Sequence, residues 1–148
     1  VLNEEKTRIS RIPEEEVTFM GYTIGRCYST GTGKPYIGTR PSKSRISRIC
    51  REIREVTSPR WLPLDSEVIV ERLNRKLIGW SNYFHLGPVS KAYRVVDSHT
   101  RYRLRRWLRK KHKVPNAGTT RFPDQHLYEE LRLVRLEQRT RDLPWVKA

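Results

Sequence analysis

Cysteine is nearly absent: Cys27 and Cys50 stand alone, with no C-x-x-C pair and no paired-histidine spacing. That excludes a disulfide framework and a zinc ribbon, and it fits a reducing, cytoplasmic compartment. Acidic residues are scarce too, with 16 Asp and Glu against 31 Lys and Arg, a net charge of +15. Asp65, Asp97, Asp124 and Asp142 are scattered, and Glu14-Glu15-Glu16 is the only acidic cluster, best read as a solvated turn. No carboxylate cluster suited to two metal ions is present, and no metal site is expected. Long apolar runs are missing: nothing approaches the ~20 residues that span a bilayer, and no signal-type apolar segment is seen, so no membrane partner is expected. Met20 is the single methionine and the chain opens on Val1-Leu2-Asn3, which leads us to expect a fragment or processed product.

What remains is a strongly basic chain that can still fold. With 36% hydrophobic residues, four Trp and seven Tyr, it can bury a core, so it is not a disordered basic tail. A charge of this size destabilises a compact monomer by self-repulsion, and a polyanionic partner is the natural explanation.

The first forty residues read as strands and turns. Thr7 to Ile12 is β-compatible, and Glu16 to Ile24 is richer in β-branched and aromatic residues until Gly25 interrupts it. Cys27 to Ser29, the turn Thr30-Gly31-Thr32-Gly33, and Tyr36 to Thr39 read as a hairpin. Gly33-Lys34 does not make a phosphate loop, because Tyr28 stands where the first glycine belongs and Pro35 follows the lysine.

From Pro41 the period becomes helical. Ser42 caps a helix carrying Ile46, Ile49, Ile53 and Val56, stopped by Ser58-Pro59. A second starts near Asp65 or Ser66, carries Ile69, Leu73, Leu77, Trp80 and Phe84, pairs Glu71 with Arg75, and ends at Gly87-Pro88. A third runs from about Ser90 to His112 with Val95, Val96, His99, Tyr102 and Trp107 inward. Short connections predict a three-helix bundle. Val114 to Pro123 reads as a linker, Leu127, Leu131 and Val134 as a short helix, and Leu143-Pro144-Trp145 as a tail that docks back. The class is α+β: a β-hairpin segment, a three-helix bundle and a short helical tail, divided 1–40, 41–113 and 114–148.

The third helix carries the sharpest pattern. At about 100° per residue, Lys91, Arg94, Ser98, Arg101, Arg105, Arg109 and His112 share one stripe without an acid. A one-sign stripe is the footprint of phosphates, and Lys110 adjoins it. The first helix adds Lys43, Arg45, Arg48, Arg51 and Arg54, diluted by Glu52 and Glu55. Trp80, Phe84 and Trp107 are read as core before base-stacking, and His99 as a core histidine.

The order of these pieces resembles a family. Leu2-Asn3-Glu4-Glu5-Lys6-Thr7 is similar to the L-N-x-x-K-T element that follows the palm strands of group II intron reverse transcriptases, and Phe19-Met20-Gly21-Tyr22 to their F-L-G-Y primer grip. Leu73 to Phe84 resembles the maturase-specific stretch, and Arg103 to His112 its basic closing helix. The resemblance implies the end of a palm, a thumb and a maturase-specific region that binds structured intron RNA and an RNA–DNA template–primer duplex. It puts Lys6 near nucleotide phosphates and makes Phe19, Gly21 and Tyr22 a primer-grip tip. The family's Tyr-Ala-Asp-Asp centre is not among these residues; Mg²⁺ belongs with that palm, a palm-containing chain is one candidate partner, and no primer extension is expected of this chain alone. A structural RNA-binding protein of the ribosomal kind and a helix-turn-helix DNA-binding module are the alternatives; the second is awkward for the Pro-rich connectors.

Overall fold

The computed structural model describes residues 15–29 and 31–140. Strands β1 (Val17–Phe19), β2 (Tyr22–Tyr28) and β3 (Pro35–Pro41) form one antiparallel sheet in the order β1-β2-β3. The stretch expected to run as one strand from Glu16 to Ile24 is folded back on itself. Met20 and Gly21 both take positive φ, 53° and 82°, and Phe19 pairs with Tyr22 across them. Positive φ at both central residues is the pattern of a two-residue type I′ turn, whose twist matches the flanking strands. Gly25 does not interrupt; it lies inside β2, opposite Gly38. The strand expected over Thr7 to Ile12 lies outside the described residues.

Helices α1 (Lys43–Val56), α2 (Ser66–Tyr83) and α3 (Ser90–Lys111) follow, α1 and α3 within a residue or two of the expected bounds, whereas α2 stops at Tyr83, short of Gly87-Pro88, with Phe84 already out of helical conformation. Ser42 caps α1, its hydroxyl accepting from the Arg45 N–H at 3.3 Å. A single 3-10 turn, Pro59–Trp61, joins α1 to α2. The core is mostly aliphatic, with Tyr93, Trp107 and Phe122 as its large aromatics: Ile49 and Ile53 come from α1, Ile69, Leu73 and Leu77 from α2, and Leu104 and Leu108 from α3. Helix α3 is rolled relative to expectation, for Val95 and Tyr102 are 48% and 57% exposed while Tyr93, Asp97 and Thr100 are buried.

Among the described residues, the segment after α3 packs back on the bundle rather than standing as a linker; the tail expected at Leu143-Pro144-Trp145 lies outside them. Phe122, Leu127, Leu133 and Leu136 are buried in the same core. In place of the expected single helix through Leu131 and Val134 there is a π-helical turn (His126–Glu130), a non-helical stretch, and a one-turn helix α4 (Leu136–Arg139) that packs on α3 and α2. The reason is tertiary. The Asn74 side chain donates to the Arg132 carbonyl at 3.0 Å and accepts from the Val134 N–H at 2.8 Å, drawing that stretch out of helix. Arg132 takes φ 60° there. The buried Asp97 carboxylate then receives the Leu136 and Glu137 N–H groups at 3.0 and 3.1 Å, capping α4 from a different helix. So α1 packs on both α2 and α3, and the C-terminal segment closes the opposite side.

Candidate nucleic-acid interface

The turn between β1 and β2 stands at one end of the bundle. Phe19 and Met20 are 65% and 64% exposed, whereas Gly21 and Tyr22 are buried. A Cβ on Gly21 would lie 2.9 Å from Arg45 Nε and 3.1 Å from the Phe84 ring, so its glycine answers to φ and to internal packing. Tyr22 stacks among Tyr83 and Phe84, and the Tyr83 hydroxyl donates to the Met20 carbonyl at 3.0 Å. Of the three tip residues singled out in the sequence, only Phe19 leaves its side chain exposed. Lys6 lies outside the described residues.

Between α1 and α2 runs a groove of about 410 Å³. Arg45 and Arg48 line one wall, Arg75 and Lys76 the other, with Gly79, Trp80, Tyr83 and Phe84 beneath. The walls are partly neutralised: Arg75 pairs with Glu71 at 2.5 Å and Lys76 approaches Glu52 at 3.9 Å. Lys43 and Arg51 are exposed elsewhere on α1.

The α3 stripe does not lie open as expected. The segment after Gly118 roofs it and supplies the acids it lacked. Arg105 pairs with Asp124 and its Nε donates to the Phe122 carbonyl at 2.8 Å; Arg101 bonds Tyr128 at 3.1 Å and lies 3.7 Å from Asp124. The side chains of Arg101 and Arg105 are only 23% and 16% exposed. Arg109 is half-buried beside Gly118, and Arg94 pairs with Glu137 at 3.0 Å. Lys91 and Lys110 remain exposed. Burial pulls the Arg101 guanidinium's pKa down, and Tyr128, Asp124 and Asp97 more than offset it, leaving it raised.

On the other shoulder of α3, facing α1, a crowded group of cations has no acid among the described residues. Arg103, Arg106 and Lys110 recur there at helical spacing, with Arg54 of α1 nearby. Among the described residues none of these four has a carboxylate at ion-pair distance. Arg103 has its pKa lowered, by burial first and then by the Arg106 and Arg54 cations. The sequence reading missed Arg103 and Arg106 as a face because it placed Tyr102 inward. Their i, i+3, i+7 spacing with Lys110 was the available signal. His99, between the same helices, holds the Cys50 carbonyl at 3.1 Å through Nε2, as a structural histidine does.

Nothing in the described residues suits a resident divalent ion: no group of three or more His, Cys, Asp or Glu comes together. Among them no helix is long and apolar enough to cross a membrane. The family model of the group II intron, maturase-specific domain matches residues 46–125, just over half of the chain, spanning α1 through the start of the roofing segment. The chain belongs to this family. Membership implies a role with intron RNA and its splicing. No curated protein matches the chain. Within the maturase-specific domain, the Leu73–Phe84 stretch supplies core through Leu73, Leu77 and Phe84, the Asn74 anchor, and the Trp80 groove. Its basic closing helix supplies one neutralised and one open shoulder.

Proposed function

We propose that this maturase-specific domain clamps structured RNA through the open α1–α3 shoulder and the outward face of α1, as the thumb of a group II intron reverse transcriptase. The observation that carries this is the contrast between the two shoulders of α3. Where cations serve the fold, the chain supplies Asp124 and Glu137; at Arg54, Arg103, Arg106 and Lys110 no described residue supplies an acid. Leaving such a cluster unpaired costs stability unless a polyanion completes it.

The finer parts of the reading follow from the same geometry. The exposed Phe19 and Met20 at a two-residue turn, with Arg45 behind them, suit a primer-grip contact with an RNA–DNA template–primer duplex. Polymerisation would then belong to a palm, on this or another chain, that brings the carboxylates and Mg²⁺; a cytoplasmic setting accords with the unpaired Cys27 and Cys50. A-form RNA is held mainly through its backbone and shape, so binding is expected to depend weakly on sequence.

The test is RNA affinity against salt. With about five phosphates engaged, log K should fall against log salt with a slope of roughly −3.5 to −4.5, and A-form RNA should outcompete B-form DNA of equal length. A flat dependence removes phosphate contact as the driving term, and preference for B-form DNA favours a DNA-binding module instead.

A further inference from the structure

The open shoulder contains a pocket. It lies between the C-terminal end of α1, the Pro59–Trp61 turn and α3, and it holds about 90 Å³. Thr57, Pro59 and Leu62 form one side; Arg103, Arg106, Trp107 and Lys110 form the other. The space is small and its charged lining entirely cationic, which suits one oxyanion.

We propose that this pocket binds a single phosphate group, supplied by the backbone of RNA, with Arg103, Arg106 and Lys110 as its cationic ligands and the Trp107 indole N–H as a neutral donor. The RNA source rests on the reading above; the anion site rests on four observations of its own. Three cations line one small pocket with no carboxylate paired to any of them among the described residues. Trp107 is 1% exposed, and its Nε1–H is buried without an acceptor there. A buried donor left unpaired is uncommon, Trp80 Nε1 and Arg135 Nε being the others among the described residues, and it leaves this indole N–H, which can only donate, free for an anion or a water. Arg103 is also held in place beforehand: its Nε donates to the Thr57 hydroxyl at 3.1 Å and one terminal nitrogen to the Thr57 carbonyl at 3.5 Å. Finally, Arg106 makes only a 3.4 Å bond to the Tyr102 hydroxyl, and Lys110 is exposed, so both can turn to an incoming anion. The second terminal nitrogen of Arg103, with Arg106 and Lys110, then offers charge-assisted donors to phosphate oxygens.

The experiment uses the full chain and two probes, inorganic phosphate and a short RNA hairpin. The Trp107 indole N–H resonance is assigned by its loss in Trp107→Phe and followed during titration with each probe. RNA affinity is measured against salt in parallel for the parent and for Arg106→Gln/Lys110→Gln, two exposed positions whose melting temperature serves as the folding control. The expected result is a saturable shift of the Trp107 resonance with both probes, loss of the phosphate shift in the double variant, and a salt slope shallower by about 0.7 to 0.9, the share of one phosphate. If the parent binds no RNA at low salt, the RNA reading itself falls, and RNA as the source falls with it. If the parent binds RNA while the Trp107 resonance stays still, or the double variant keeps the full slope, the pocket alone is overturned. A shift with inorganic phosphate and none with RNA overturns the RNA backbone as the source.

Discussion

His99 and Asp97 sit two residues apart on α3, the first half-buried and the second buried, each for a different purpose. Burial is the main reason His99 has a lowered pKa; the Arg103 and Arg54 cations add to it, and the Cys50 carbonyl opposes. The unfolded chain takes up a proton near the ordinary value of about 6.5, and the folded chain does so only at lower pH. Below about 6.5 the unfolded state therefore holds more protons, and stability falls with pH until the folded pKa is passed. Urea midpoints at pH 7.5 and 5.5 should show this loss in the parent and a smaller one in His99→Gln. An equal loss in both would mean that another group carries it. Asp97 is raised by burial, against the pull of the two N–H groups it accepts from Leu136 and Glu137. Replacing it with Ala leaves both donors of α4 unmet and should cost about 1 to 3 kcal/mol in urea unfolding. A change below a few tenths would show that α4 does not depend on this cap.

At the scale of elements, the segment from Gly118 to Thr140 behaves as a fourth wall of the bundle, and that alters what the α3 arginines do. Arg101→Gln/Arg105→Gln removes the Asp124 pairing and the bond to the Phe122 carbonyl. Asp124 is half-exposed, so the ion pairs are discounted; together with the carbonyl bond the loss is expected at about 1 to 2 kcal/mol. The RNA salt slope should change little, because these charges are already matched; a shallower slope at unchanged stability would restore the stripe as a phosphate contact. Gly79, inside α2, has nothing within 4 Å of where a Cβ would sit, so Gly79→Ala should stabilise by about 0.5 to 1 kcal/mol in the same assay. The helices were readable from the sequence since their signals are local: a serine cap, apolar residues at i, i+3 and i+4, and proline stops. The roof was not. It is held by Asn74, Asp97 and Arg105 reaching across 17 to 60 residues of chain, and no periodicity encodes such bonds. The Met20-Gly21 turn was hidden for a related reason, since methionine at positive φ carries no turn signature. The basic character of the interface was legible from composition; which shoulder of α3 stays open depended on where the roof lands.

For the molecule as a whole, the excess of 31 basic over 16 acidic residues sets how stability answers to salt. Two effects oppose each other. Salt weakens attractive pairs such as Arg75–Glu71 and Arg94–Glu137, whose arginine side chains are 76% and 73% exposed and which contribute little at the surface. Salt also screens the repulsion among a net +15, which includes the unpaired group at Arg54, Arg103, Arg106 and Lys110. The second effect should win, since the repulsive charges outnumber the attractive pairs and several are crowded and partly buried. The melting temperature of the free chain is therefore expected to rise between about 50 and 300 mM salt, where the Debye length drops from roughly 14 to 6 Å. With RNA bound the trend should reverse. RNA stabilises the native state by mass action, and its affinity falls as salt rises, so a higher melting temperature at low salt should decline toward the free-chain curve. The two curves converge where RNA is released. A free chain that melts lower as salt rises would show local ion pairs dominating the fold, and parallel curves with and without RNA would show that the charge excess serves something other than phosphate.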